Sequence, residues 1–217
     1  MSPVTYRTFA DRRGAGRQLA DHLGHRDWSD PVVLGLARGG VPVAAEVARE
    51  LGAPLDVAVS RKIGAPDHPE FGVGAVTADG PPFYDDSTLR MLRLRPYDMQ
   101  RVCDAERAEA RRRVRHYQRG REPVAVRGRD VLVVDDGLAT GVTAKAALRA
   151  VRQAEPSRLV FAAPVCAPQS AAMLQTEADE VVCVAKPEDF RAVGLWYDDF
   201  SQTTDEEVVS LLEAAWT

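Results

Sequence analysis

Val131-Leu132-Val133-Val134-Asp135-Asp136-Gly137-Leu138-Ala139-Thr140-Gly141-Val142-Thr143 is the stretch whose reading decides the fold. Its opening run of aliphatic residues, mostly β-branched, fits a strand buried on both faces, as in a parallel sheet. Two adjacent carboxylates follow where that strand should end. A loop of small residues comes next, and Ala144-Lys145-Ala146-Ala147-Leu148-Arg149 predicts a helix. Ligands of open α/β sheets bind beyond the carboxyl ends of the strands, which is where these groups fall. Gly137 and Gly141 permit close backbone approach. The loop amides and the helix N-terminus would point at an anion, with the helix dipole helping and Thr140 and Thr143 adding hydroxyl donors. Asp135 and Asp136 can accept hydrogen bonds from two neighbouring hydroxyls, such as those of a ribose. A Walker A loop is excluded, because Val142 and not lysine follows Gly141. A response-regulator acid pair would leave the Gly/Thr loop unexplained. The bland alternative is a buried strand, an Asp turn and a capped helix with no ligand.

The stretch resembles the loop that binds phosphoribosyl pyrophosphate (PRPP) in the type I phosphoribosyltransferases. The resemblance implies an α/β fold of that type: a central, mainly parallel sheet flanked by helices, with a peripheral C-terminal hood and a helical insertion. It also implies roles for residues. Asp135 and Asp136 would position the ribose, directly or as ligands of Mg²⁺. Gly137, Leu138, Ala139, Thr140, Gly141 and Thr143 would hold the sugar phosphate.

Upstream, Val32-Val33-Leu34-Gly35-Leu36 predicts a strand, Ala37-Arg38-Gly39-Gly40-Val41-Pro42 a glycine turn, and Val43 to Leu51 a helix. Arg38 carries a fork of donors suited to phosphate oxygens. Taken alone this turn could equally be a tight turn with a solvated arginine. Beside the acid-pair motif it looks like the family's pyrophosphate loop, with Arg38 and Gly39 as PRPP ligands. Leu55 to Ser60 predicts the next strand. The resemblance then places a pyrophosphate-covering flap at Arg61-Lys62, with Arg61 as a PRPP ligand and Lys62 in catalysis. His68 reads as a further donor or a solvated loop residue. Phe71 to Val76 predicts an outer strand or hairpin arm, because its glycines weaken a central assignment. Residues 9–23 predict an amphipathic helix with Phe9, Leu19, Ala20 and Leu23 inward and the arginines outward.

Residues 86–121 form a charged, helical insertion. Glu109 and Arg113 sit at i,i+4 spacing, a mildly stabilising pair. The run from Arg111 to Arg121 is the most basic part of the chain, and it supports an alternative function: a PRPP- or nucleotide-sensing regulator that binds RNA or DNA. Against this stand the acidic total and the simpler reading of a solvated helix face. Downstream, Ser157 to Val165 and Val181 to Val184 predict strands, with a helix from Ala167 to Leu174. Strands alternating with helices imply βαβ units. Aromatics cluster in Phe190 to Phe200. This segment, about 186–203, looks similar to the base-binding hood of the hypoxanthine–guanine branch, with Phe190, Val193, Gly194 and Asp198 corresponding. Trp196, Tyr197 and Asp198 are the base-binding candidates; ordinary burial of a C-terminal segment is the competing reading. The chain departs from that branch at Ala139, where an aspartate would act on the base, and in lacking a lysine near Ala163-Pro164-Val165. Thr204-Asp205-Glu206-Glu207 predicts the start of a last helix.

At 217 residues the chain suits one domain, 1–217, with a well-buried core. A net charge of −4 excludes a polyanion binder as a whole. Cys103, Cys166 and Cys183 show neither metal spacing nor a disulfide framework, which suits a reducing cytosol, and the apolar segments around Cys166 and Cys183 point to core thiols. Met1 to Arg7 lacks an apolar secretion signal, and no stretch is long enough to span a bilayer. The expectation is therefore a cytoplasmic enzyme, homodimeric by resemblance, with no membrane partner. It would transfer the phosphoribosyl group of PRPP to a nitrogenous base with Mg²⁺, releasing pyrophosphate. A degenerate, inactive transferase is a third reading, which the intact acid pair argues against.

Overall fold

The computed structural model describes residues 9–216, so the expectation for Met1 to Arg7 lies outside the described residues. Helix α1 (Arg12–Gly24) precedes β1 (Val32–Leu36), α2 (Gly40–Leu51) and β2 (Leu55–Ala58). Then come β3 (Ser60–Ala65), β4 (His68–Thr77), β5 (Phe83–Tyr84), α3 (Asp86–Met91), a 3-10 turn at Pro96–Met99 and α4 (Gln100–Gln118). The chain returns through β6 (Asp130–Val134), α5 (Val142–Gln153), β7 (Arg158–Val165), α6 (Pro168–Leu174) and β8 (Glu180–Ala185). A second 3-10 turn at Val193–Trp196 and α7 (Asp205–Ala215) finish the described chain.

Strands β2-β1-β6-β7-β8 form one sheet in that order, every neighbouring pair parallel. From β1 the chain runs outward to β2, then comes back to β6 on the other side of β1. The order thus reverses between β1 and β6, and in open α/β sheets the ligand crevice opens at that switch point. The aliphatic run of β6 is fully buried because both faces are covered. Leu132 and Val134 pack with Leu19, Val43 and Val47 of α1 and α2. Val131 and Val133 pack on the opposite face with Ala144 and Leu148 of α5. Side chains alternate across a strand, so neither face admits a polar residue.

Strands β3, β4 and β5 form a separate antiparallel sheet, as the outer-arm reading of Phe71 to Val76 anticipates. Its own apolar cluster is Ile63, Val73, Val76, Leu89, Met99 and Cys103. The helical insertion is therefore the floor of the hairpin. Further along α4, Ala110 and Tyr117 belong to the main core, so this helix joins the two bodies.

The fold corrects two expectations. Phe9 lies outside α1, paired with Tyr197 in an isolated parallel bridge; the helix starts at Arg12, where Asp11 caps it by accepting from the Gly14 amide at 2.6 Å. Cys166 and Cys183 are not separate thiols: they form a disulfide, with Cα atoms 6.2 Å apart. The register explains the pairing, since Cys183 lies beside Ala163 on β8 and Cys166 directly follows β7. Cys103 is the buried free thiol. With the partners 17 positions apart in sequence, the cross-link should contribute about 3 kcal/mol by the loop-entropy argument. Reduction should then lower the thermal midpoint by roughly 6–12 °C in a chain of this size. Superimposed melting curves with and without dithiothreitol would refute the contribution.

Candidate active site

Both expected loops sit where the sheet order reverses. Strand β1 ends at Leu36, and Ala37-Arg38-Gly39 turns into α2 across a cis peptide between Ala37 and Arg38. Strand β6 ends at Val134, and Asp135 and Asp136 follow beside that turn. The two loops touch. A Cβ on Gly39 would lie 2.1 Å from Asp136 Oδ2, and one on Gly40 would lie 2.5 Å from the Val134 carbonyl. Consecutive glycines are therefore what let the turn close onto the acid pair.

The acids are held differently. Asp135 Oδ1 accepts from the Asp136 amide at 2.8 Å. Burial pushes the Asp135 carboxyl well above the usual range, and the negative charge of Asp136 pushes it further. Burial also raises Asp136, but there the Arg12 guanidinium opposes the shift. Arg12 Nε donates to Asp136 Oδ2 at 2.8 Å, with the two side chains only 12% and 14% exposed. Two carboxylates thus face one guanidinium, and the pair is short of positive charge and of donors.

The loop beyond the acids is anchored at one end and open at the other. The Leu138 amide donates to the Val165 carbonyl, and the Leu138 carbonyl accepts from Ala167, both at 2.8 Å. Ser170 Oγ donates to the Ala139 carbonyl. Ala139 and Thr140 are exposed. Gly141 at φ 75° turns the chain into α5, whose first-turn amides have no intrahelical acceptor. Chemically, the arrangement offers amide donors for an anion at a helix N-terminus, beside two carboxylates able to accept from a diol.

The residues that the resemblance assigned to pyrophosphate come from both bodies. Arg38 Nη1 lies 3.7 Å from Asp205 Oδ1 at the start of α7. Tyr117 of α4 donates to that same oxygen at 2.6 Å. Arg61 and Lys62 lie on β3 of the antiparallel sheet. Arg61 Nε reaches Glu106 of α4 at 2.8 Å. The stem of Lys62 crosses Gly72, where a Cβ would meet it at 2.4 Å.

The hood covers the loop closely: a Cβ on Gly137 would lie 2.3 Å from Val193. Tyr197 departs from the base-stacking expectation. It is 3% exposed, with its ring between Phe9 and Phe200 at centroid distances of 5.4 and 5.0 Å. Its hydroxyl donates to the Asp136 carbonyl at 2.6 Å. Tyr197 is therefore a prop for the acid pair, since its faces are already covered. Trp196 is half-buried and Asp198 exposed. Sequence reasoning missed Arg12, Tyr117, Phe200 and Asp205. The available signal was Asp205 at a helix start; nothing local marks the other three.

Two other features belong elsewhere. The basic run is largely engaged internally: Arg112 and Arg113 bind Glu109, Arg111 binds the Ala78 carbonyl, and Arg119 binds Glu213. Arg121 stacks on Trp216 at 4.4 Å. A cleft of about 460 Å³ beside β2 is lined by Val57, Thr77, Val124 and Ala147. Its buried carboxylate, Asp56, is already engaged by the amides of Val57 and Val124 and by Gln118.

No helix of the described residues is long and apolar enough to cross a membrane. Comparison with known proteins places the chain in a family. Proteins from two strains of Mycobacterium tuberculosis, provisionally named phosphoribosyl transferases, are each 45% identical over 207 residues, covering 95% of this chain. The chain spans about half the length of these curated relatives, 47%. A crystal structure of a protein from Thermus thermophilus is 46% identical with a TM-score of 0.81, covering 94% of this chain and 97% of that one. The model of the phosphoribosyl transferase domain matches residues 11–199, and with these relatives it shows that the chain belongs to the phosphoribosyl transferase domain family.

Proposed function

We propose that the chain is a Mg²⁺-dependent enzyme that transfers the phosphoribosyl group of PRPP to a nitrogenous base and releases pyrophosphate. The observation that carries this reading is the contact between Gly39 and the Asp136 carboxylate at the β1/β6 switch point. It supports a diol site lying between two anion sites, the order in which PRPP carries its own groups. In the displacement, positive charge grows on the ribose ring and negative charge on the leaving group. The buried carboxylates favour the former, and Arg38, Arg61 and Lys62 favour the latter. Holding the sugar by both ends supplies the orientation.

The donor set suits a metal that arrives with the diphosphate. Among the described residues no group of three or more His, Cys, Asp or Glu side chains could cage an ion. Mg²⁺ binds through few carboxylates plus phosphates and water, which two adjacent aspartates satisfy. When bound, the ion would neutralise the departing pyrophosphate. A homodimer belongs to the same proposal, as does a cytoplasmic setting, which the Cys166–Cys183 cross-link no longer lets rest on the cysteines.

The test is to incubate the protein with PRPP, Mg²⁺ and a panel of bases, and to measure pyrophosphate. Release with at least one base is expected. PRPP binding without release under any base would instead favour a sensor, and salt-dependent RNA or DNA affinity lost on neutralising Arg111 to Arg121 would identify the regulator. Base docking has a separate readout. Addition of the accepted base with a PRPP analogue bound should quench tryptophan fluorescence, and Trp196→Phe should remove that quenching. Quenching that survives the substitution would eliminate Trp196 as the stacking residue.

A further inference from the structure

We propose that Arg12 is a positioning residue of the sugar site. It fixes Asp136 against the pyrophosphate turn and ties the acid pair to the hood. This inference rests on the PRPP reading above. The guanidinium makes four contacts to three parts of the chain. Nε donates to Asp136 Oδ2 at 2.8 Å. Nη1 donates to the Ser201 carbonyl at 2.6 Å. Its carbon lies 4.0 Å from the centroid of Phe200. A Cβ on Gly39 would lie 3.1 Å from Nε, so the group also closes over the turn. A surface arginine does not collect such partners, and Arg12 is the first residue of α1, with its backbone set by the Asp11 cap.

The chemistry follows from this geometry. An aspartate on a strand end has several rotamers, and only some present a lone pair to a ribose hydroxyl. The Nε contact removes that freedom from one oxygen and leaves the other for the ligand. The planar fork matters as well as the charge: one donor holds Asp136, another holds Ser201, and the face stacks on Phe200. Tyr197 supports the same residue from its backbone side. Hood position and acid-pair geometry are therefore set by one side chain, and the segment that covers the acceptor is linked to the residue that grips the sugar.

The experiment measures PRPP–Mg²⁺ binding by calorimetry and pyrophosphate release by steady-state kinetics, in the parent, Arg12→Ala, Arg12→Lys and Phe200→Leu. Arg12→Ala should weaken PRPP binding by roughly 10- to 100-fold, the scale of a hydrogen bond to a charged group. KM for PRPP should rise more than kcat falls. Arg12→Lys should recover part of the loss, and added guanidinium should restore Arg12→Ala where sodium at equal ionic strength does not. Phe200→Leu should show the same KM-weighted pattern at smaller size. If Arg12→Ala does not fold, the lysine and leucine variants carry the test through the same split. Affinity and KM within twofold of the parent in a folded Arg12→Ala would overturn the proposal. So would a loss that neither guanidinium nor lysine relieves while the thermal midpoint falls in step, since that describes a structural role alone. A parent protein that binds no PRPP would refute the functional reading itself, and this inference with it.

Discussion

The double variant Asp135→Asn, Asp136→Asn should lose pyrophosphate release by at least about a hundred- to a thousandfold, the cost typical of removing one preorganised electrostatic group. The substitution keeps the shape and hydrogen-bonding reach of both side chains, so the fold should persist. Burial already pushes both carboxyls upward, which means the native fold holds charge there at a cost. Removing that charge should leave the thermal midpoint close to the parent or above it, offset by the unpairing of Arg12. Activity would fall while stability holds, a combination that ordinary core damage does not produce. Parallel kinetics and melting curves check it, and unchanged turnover would refute the roles given to both acids.

Gly39→Ala should be nearly as damaging, although it adds a single methyl group. The new Cβ would lie 2.1 Å from Asp136 Oδ2 and 2.9 Å from its carboxyl carbon. Neither neighbour yields easily, because Asp136 is held by Arg12 and by the Tyr197 hydroxyl on its carbonyl. Overpacking of this kind costs roughly 1–3 kcal/mol. Here it should separate the two loops and lower PRPP affinity by about 10- to 100-fold. Gly24→Ala is the control, since its Cβ would meet only Glu50 at 3.5 Å, an ordinary contact. Calorimetry on the two variants decides the matter: equal affinities would mean that the contact between the loops has no bearing on the ligand.

The parts of this molecule that can be read in sequence are those whose neighbours along the chain are also their neighbours in space. The run from Val131 to Thr143 holds its strand, acids, loop and helix start in order, and the structure keeps them so. The turn at Arg38-Gly39-Gly40 is legible for the same reason, and the pair carries the family resemblance. Arg12 is not legible. Amphipathic periodicity sends a charged residue outward, and only the return of Asp136 and Phe200 from far along the chain gives it an inward partner. The Cys166–Cys183 link escapes because spacing does not reveal which strands lie side by side. Tyr197 reads as a stacking ring because composition cannot show that Phe9 and Phe200 already cover it.

Helix α4 holds one arginine directly and is linked to a second through a carboxylate of α7. Glu106 holds Arg61 of the hairpin. Tyr117 holds Asp205, beside Arg38 of the glycine turn. About eleven residues of helix separate the two grips, roughly 16 Å of stiff rod. The two arginines that the proposed function gives to one leaving group are thus tied to a single axle, and a tilt of that axle would shift both at once. A bend midway along that rod would move Glu106 relative to Tyr117, and with them Arg61 relative to Arg38.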